Sequence, residues 1–154
     1  MQDLDYMKIC LKLACKCQKY DDVPVGAIIV KNGVIVAKAY NQKEKRNSTI
    51  SHAEILAIEK ANKVLGANLS GCTLFTTKEP CLMCMGAILS ARIDKVVFGA
   101  YDLRFGTQDI ATNNNFNHKC EIVGGVLKDE CSEILTNFFK SLRQKNGSKN
   151  QIKN

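Results

Sequence analysis

The sequence predicts an α/β fold of three layers, α/β/α, with a mixed five-stranded sheet between helices. Three observations predict it. Short β-branched runs alternate with stretches of helical periodicity, two runs flank Asn32-Gly33 as in a β-hairpin, and 72–100 is a strand–helix–strand unit typical of a parallel crossover. The 154 residues contain no internal repeat or linker. We therefore expect one domain over 1–145, followed by a disordered basic tail over 146–154.

Each element has a local signal in the sequence. Apolar side chains recur at helical spacing in the helices, and the strands are short runs bounded by turn residues. Residues 101–119 are polar, rich in Asn and long enough for a functional loop. In chain order we predict a helix at 3–19, a hairpin at 23–41, a helix from 51 to about 65, a strand at 72–77, a helix at 81–93, strands at 95–100 and 120–126, and a closing helix at 129–145.

Composition limits the classes of protein to consider. No apolar run approaches the roughly 20 residues of a membrane helix, so no membrane partner is expected. The N-terminus has acidic residues before its first basic one, which is not the pattern of a signal peptide. We therefore expect the protein in the cytoplasm. Eight cysteines in that reducing compartment suggest metal ligands or buried thiols rather than disulfides.

The positive charge lies mainly at the C-terminal end. The net charge is +7, and no acidic residue follows Glu133, whereas five Lys or Arg residues do. Such an asymmetry suits a helix that contacts a polyanion, and equally a solvated tail.

The stretch SHAEILAIEKA, residues 51–61, allows two interpretations. Ser51 followed three residues later by Glu54 is the pattern of a capping box, which begins a helix. Alternatively, His52 is a metal ligand and Glu54 moves protons beside the metal. Residues two apart lie about 200° apart around a regular helix, so both can face one target only at its first turn.

The sequence EPCLMC, residues 79–84, favours the second interpretation. Cysteines at i and i+3 share a helix face, and a helix N-terminus lowers the pKa of a thiol, so we expect both sulfurs to be prepared for a metal. Buried core cysteines and a redox pair are the alternatives. Candidates for a further ligand are His52, His118 or another cysteine. Since helix N-termini emerge at one edge of a parallel sheet, His52, Cys81 and Cys84 are predicted to bind one zinc ion, with its fourth position open to water.

These motifs together carry a resemblance to a known family. His-x-Glu followed by Pro-Cys-x-x-Cys is the zinc deaminase signature. Over about residues 20–143 the chain resembles the bacterial tRNA adenosine deaminases, which convert the wobble adenosine of an anticodon to inosine. The segments that carry the likeness are VPVGA (23–27), HAEI (52–55), EPCLMCMGA (79–87), RIDKVVFGAYD (92–102), NH (117–118) and FFKSLR (138–143).

The resemblance implies a cytidine deaminase-like fold, a homodimer and a tRNA anticodon stem-loop as partner. Zinc-activated water would attack the amino-bearing carbon of adenine, and Glu54 would shuttle the proton. Four positions match family residues that bind or flank the substrate: Asn41, the backbone around Ala53, Asp102 and His118. Without the resemblance, Asn41 would be interpreted as a turn residue at a strand end, and the last two as surface loop residues.

The closing helix matches the family helix that approaches RNA. Its candidate contacts, with one from the preceding loop, are Arg104, Phe139, Lys140 and Arg143. One of the two phenylalanines, Phe138 or Phe139, is expected in the core. Arg104 departs from the family pattern, which usually has Lys there, and Arg differs from Lys in its planar, forked donor geometry.

Two other functions remain open from the sequence. A deaminase of a free guanine, cytosine or nucleotide would share every zinc residue but would not need a basic closing helix. A zinc-stabilised binding module would need a fourth protein ligand, for which Cys120 is a candidate, and no glutamate beside the metal.

Overall fold

The computed structural model describes residues 1–104, 106, 107, 109 and 118–153, with the side chains of 148–153 left out. Most of the predicted loop over 101–119, including Phe105, lies outside the described residues. The helices are α1 (Asp3–Cys15), α2 (Lys43–Arg46), α3 (Ala53–Leu65), α4 (Leu82–Ser90) and α5 (Lys128–Lys153). The strands are β1 (Gly26–Lys31), β2 (Val34–Tyr40), β3 (Cys72–Lys78), β4 (Lys95–Ala100) and β5 (Glu121–Val123).

The five strands form one mixed sheet in the order β2-β1-β3-β4-β5. β1 is antiparallel to both β2 and β3, while β3, β4 and β5 are parallel to one another. The hairpin turn has positive φ at Asn32 and Gly33, 50° and 77°, as a tight two-residue turn requires. The predicted hairpin, mixed sheet and parallel pairing over 72–100 are confirmed.

Helices cover both faces of the sheet, which confirms the three-layer prediction. On one face α3 and α4 pack against the alternate apolar residues of β1, β2, β3 and β4 in one core cluster. On the other face, α1 and the first turns of α5 pack on Ile28, Phe75 and Val97 in a second cluster. None of the described helices combines the length and apolar character needed to cross a bilayer.

Gly26, within the VPVGA segment, sets the contact between α1 and the sheet. A Cβ atom at this position would clash with the carbonyl oxygen of Cys10 and approach the backbone nitrogen of Ala14 to 2.9 Å. The absence of a side chain therefore lets α1 lie directly against the start of β1. This places the turn that follows α1, a 3-10 segment over Lys16–Tyr20, at the same end of the sheet.

The end of the chain differs from the prediction. β5 has three residues, because Gly124 packs against the Phe98 ring and Gly125 adopts φ of 88°. Helix α5 continues to Lys153, so the structure has helix where the sequence predicts a disordered tail from residue 146. No proline follows Lys128, and a single glycine costs a helix only about 1 kcal/mol. Asn154 lies outside the described residues.

Candidate functional site

One edge of the sheet collects the residues singled out from the sequence. β2 and β3 run in the same direction, both antiparallel to β1, and β4 is parallel to β3. The carboxyl ends of β2, β3 and β4 therefore lie at the same edge. Asn41 directly follows β2, and Cys81 follows β3 by three residues.

Two helices begin at this edge, and each begins with a candidate ligand. His52 is the N-cap of α3 and Cys81 the N-cap of α4, both with extended backbone. Glu54 and Cys84 lie in the first turns of these helices. The predicted capping box is absent, because α3 starts one residue later than that motif requires and no side chain caps it. Glu54 therefore faces the pocket beside His52, as the catalytic interpretation requires.

The three candidate ligands converge on one point. His52 Nδ1 lies 3.6 Å from Cys81 Sγ and 3.5 Å from Cys84 Sγ, and all three atoms lie within 4.8 Å of one another. Tetrahedral zinc bound to one nitrogen and two sulfurs places those nitrogen and sulfur atoms about 3.5 Å apart. The donor set and its spacing therefore fit one zinc ion. This is the only such group of His, Cys, Asp or Glu side chains in the part of the chain described.

The two sulfurs differ in their protonation before a metal binds. The Cys84 thiol donates a hydrogen bond to Cys81, which lowers the pKa of Cys81 to about 3. The same bond and burial raise the pKa of Cys84. The pKa of His52 is raised, chiefly by its hydrogen bond with Cys81. The pKa is therefore lowered at Cys81 alone, and chiefly by the hydrogen bond from Cys84, whereas the sequence led us to expect that the helix start lowers the pKa of both thiols.

Glu54 is buried beside the ligands. It is 4% exposed, and burial raises the pKa of its carboxyl group because the charged form loses its hydration. A carboxyl group held in such surroundings can both accept and return a proton near neutral pH. The arrangement therefore supplies a proton carrier next to a metal site.

A pocket opens onto these residues from solvent. Its walls include His52, Ala53, Glu54 and Cys81, together with Asn41 and the apolar side chains of Val23 and Val25. Asn41 Nδ2 donates to the carbonyl of Val23 at 3.0 Å, and its Oδ1 accepts from the N–H of Lys43 at 3.1 Å. Asn41 thus lines the pocket and fixes the turn after β2, which agrees with its interpretation as a turn residue, and its role toward a substrate stays a prediction.

The rim of the pocket contains charged residues that the sequence interpretation missed. Lys78 and Glu79 line the pocket, as does Lys43. Lys78 Nζ lies 3.2 Å from Asp102 Oδ2, and Glu79 Oε1 accepts from the backbone N–H of Asp102 at 3.1 Å. Their positions in the sequence could have identified them, because Lys78 ends a strand that leads directly into the zinc motif. Asp102 itself contacts these two lining residues, and its predicted place beside the substrate stays a prediction.

His118 lies elsewhere, which corrects its assignment as a substrate-binding residue. Its Nε2 donates to the carbonyl of Ile93 at 2.8 Å, and Ile93 precedes β4. Because β5 is parallel to β4, the residues before both strands lie at the amino edge of the sheet, opposite the pocket. Cys120 also precedes β5 and lies outside the ligand group, so it is not a fourth ligand.

A second concavity collects three of the four RNA-contact candidates. Arg104, Phe139 and Arg143 line it together with Thr136, so the loop after β4 meets α5 there. Phe139 is 40% exposed, whereas Phe138 is partly buried and faces its ring at 5.2 Å between centroids. Lys140 is exposed on α5 outside this concavity.

Comparisons with known proteins agree with this site. The model of the cytidine and deoxycytidylate deaminase zinc-binding region matches residues 1–100. A tRNA-specific adenosine deaminase of Bacillus subtilis is 46% identical over 149 residues, which cover 94% of this chain and 92% of that protein.

Two solved structures share the fold. One, from a study of A-to-I editing by tRNA A34 deaminases at the wobble position, has a TM-score of 0.81 and 33% identity, over 85% of this chain and 99% of that chain. A guanine deaminase from Nitrosomonas europaea has a TM-score of 0.74 and 23% identity, over 88% of this chain and 83% of that chain. At that identity the likeness shows a shared fold and nothing more. Within the zinc-dependent cytidine and deoxycytidylate deaminases, the chain belongs to the tRNA-specific adenosine deaminase family.

Proposed function

We propose that this protein hydrolyses adenosine to inosine at the wobble position of a tRNA anticodon. One observation carries the proposal: a zinc-type ligand group, His52, Cys81 and Cys84, lies at a pocket that the buried residue Glu54 also lines. The tRNA-specific adenosine deaminase of Bacillus subtilis, 46% identical over most of the chain, supports adenosine in tRNA as the substrate, and the structure from the study of tRNA A34 deaminases supports the wobble position. A tRNA substrate also favours the cytoplasm.

Each of the side chains at the pocket has a separate role in the reaction. His52 Nδ1 and the sulfurs of Cys81 and Cys84 would hold the metal. Zinc, when bound, would lower the pKa of a water molecule to about 7 and so supply the nucleophile for the amino-bearing carbon of adenine. Glu54 takes one proton from the attacking water and gives it to the ring nitrogen beside the attacked carbon. It then moves the second proton, from the hydroxyl group now on that carbon, to the amino group, which leaves as ammonia.

The remaining walls position the base. Val23 and Val25 present apolar surface to the flat ring and exclude water. The backbone N–H at Ala53, in the first turn of α3, has no acceptor within the helix and is available to the base edge. Asn41 is held in place by two backbone bonds and supplies its remaining amide donor and acceptor capacity to the nucleoside.

The charged surface around the pocket suits RNA. Asp102 and Lys78 at the rim lie where the nucleotides next to the target adenosine would pass. Arg104, Phe139 and Arg143 offer two cations and an exposed ring in one concavity, with Lys140 beside it on α5. Unstacked loop bases are recognised by such stacking and basic contacts. On the family resemblance, we also propose that two copies of the chain form the active homodimer.

A deaminase of a free base is the alternative. It would use the same zinc residues, and a guanine deaminase has this fold. The exposed basic and aromatic residues on α5 favour RNA, because a free base has no phosphate for them to contact. A zinc-stabilised binding module is disfavoured, since no fourth protein ligand lies near the three among the described residues and a carboxyl group does.

The test is a nucleoside analysis of an adenosine-bearing anticodon stem-loop after incubation with the zinc-loaded protein. Free guanine and cytidine are the parallel substrates, and Glu54→Ala is the control. We expect inosine at the wobble position alone, and none with the variant. Turnover of only a free base or nucleoside would retain the zinc chemistry and overturn the RNA substrate.

A further inference from the structure

A cluster of lysines and tyrosines lies beside the pocket, outside the site described so far. Lys45 Nζ lies 4.8 Å from the centroid of the Tyr20 ring and 5.5 Å from that of Tyr40, and donates to the Tyr40 hydroxyl at 3.1 Å. Lys16 lies over Tyr40 and Lys19 over Tyr20, each at 5.9 Å. We call these five residues the basic tyrosine patch.

The basic tyrosine patch connects the pocket to the closing helix. Tyr40 is the last residue of β2 and directly precedes Asn41, and Lys45 lies two residues after Lys43, which lines the pocket. On its other side, Asp21 follows the 3-10 segment and accepts from Lys145 of α5 at 2.8 Å. The patch thus occupies the surface between the pocket mouth and the basic end of α5.

The lysines of the patch form no ion pair with any acidic side chain in the described part of the chain. Lys16, Lys19 and Lys45 are all exposed, and none lies within 4.0 Å of a carboxylate among the described residues. Asp21 pairs with Lys145, and Asp22 accepts from the backbone N–H groups of Glu44 and Lys45, so both carboxylates bond to groups other than the three ammonium groups of the patch.

The rings bring the three ammonium groups onto one small surface. A cation over a tyrosine ring is held there by the negative charge on the ring face. The hydrogen bond to Tyr40 also raises the pKa of Lys45, so that it stays charged. An ammonium group has three N–H donors, and a ring face occupies few of them, so donors remain for an anion.

We propose that the basic tyrosine patch binds the phosphodiester backbone of the RNA strand that leads away from the target adenosine. The inference rests on the proposed function and extends it to a second surface, separate from the concavity at Arg104 and Arg143. Three exposed ammonium groups on one surface offer donors to backbone phosphates, and the partly exposed Tyr20 ring adjoins them. RNA held here would lie against the pocket mouth on one side and α5 on the other.

The test measures binding of a labelled anticodon stem-loop to the zinc-loaded protein over a range of salt concentrations. The patch variant is Lys16→Gln, Lys19→Gln and Lys45→Gln. The matched control removes the same charge at exposed lysines away from this surface, Lys8→Gln, Lys63→Gln and Lys119→Gln. A third variant, Lys16→Arg, Lys19→Arg and Lys45→Arg, keeps the charge.

Loss of three phosphate contacts should weaken binding by about 10- to 100-fold near 0.1 M salt and reduce the slope of log K against log salt by about 2. The control and the arginine variant should each stay within a few-fold of the wild type. Equal affinity and slope in the patch variant and the control would overturn the inference. Inosine formation by the wild type is measured separately, so a failed patch and a failed proposed function give different results.

Discussion

The zinc pocket and the basic tyrosine patch are close along the chain but are built differently. In the pocket, Glu54 is buried and the ligands are fixed by the first turns of two helices. In the patch, the charges are exposed, and tyrosine ring faces and one hydrogen bond from Lys45 to the Tyr40 hydroxyl hold them in place. A reacting atom must be positioned closely and kept from water, whereas a polyanion is attracted by charge density on side chains that can adapt. The predictions below separate these two roles.

The largest effect is expected from removing a zinc ligand. Cys84→Ala should lower bound zinc from about one ion per chain to near zero, because two protein ligands bind zinc poorly. Inosine formation should fall to background with it. Elemental analysis and nucleoside analysis of the same folded sample measure both. Cys15→Ala, at an exposed cysteine away from the site, should change neither. Full zinc content in Cys84→Ala would mean that another group completes the site.

Removing the proton carrier should stop the reaction and leave the metal in place. Glu54→Gln keeps the size of the buried side chain but cannot accept a proton. The single-turnover rate should fall by about 10²- to 10⁴-fold, the usual contribution of a positioned acid–base group. Zinc content and RNA affinity should match the wild type. Loss of zinc in this variant would instead make Glu54 a ligand or a structural residue.

Substitutions of Asn41 distinguish a role in positioning the substrate from a role in holding the turn after β2. Asn41→Ala removes the bonds to Val23 and Lys43 along with any contact to the nucleoside, so kcat/KM should fall by about 10- to 100-fold. Asn41→Asp keeps an acceptor for the Lys43 N–H and loses the donor to Val23. If Asn41 only holds the turn, the alanine variant should have a clearly lower unfolding temperature together with its lower kcat/KM. A stable variant with low kcat/KM supports substrate contact.

The smallest effect is expected at the surface concavity on α5. Arg143→Gln should weaken binding of the stem-loop several-fold and reduce the salt slope by about 1, as for one lost phosphate contact. Lys8→Gln, at an exposed position of α1, is the control with the same charge change. An unchanged slope in Arg143→Gln would show that this arginine is only solvated, and would leave the basic tyrosine patch as the main electrostatic surface.

The predictable part of the site consists of residues whose role depends on local sequence. The zinc ligands follow from two short motifs and from the rule that helix starts share a sheet edge. Whether Glu54 belongs to a capping box or faces the pocket depends on which residue begins α3. Sequence periodicity does not locate a helix start to within one residue. His118 was misplaced because its position depends on β5 being parallel to β4.

The basic tyrosine patch was missed for a related reason. Its residues come from the 3-10 segment after α1, the end of β2 and the short helix α2. No one of these segments looks unusual in the sequence, and only the packing of α1 over Gly26 brings them together. Contacts between such distant segments depend on which elements become neighbours in the fold, and the sequence of one segment does not predict its neighbours.

The position of the ligands at helix starts also bears on how such enzymes diverge. His52 and Cys81 precede helices whose later turns form the core, so the metal geometry is inherited with the fold. Other residues that line the pocket and the concavity, Asn41, Lys43, Lys78, Glu79 and Arg104, lie at strand ends or in the segments that follow them. Substitutions at the exposed positions among them change the surface offered to a substrate and leave the two ligand-bearing helix starts in place. A deaminase lineage can therefore exchange one base for another, or a free base for a polymer, without rebuilding its catalytic centre.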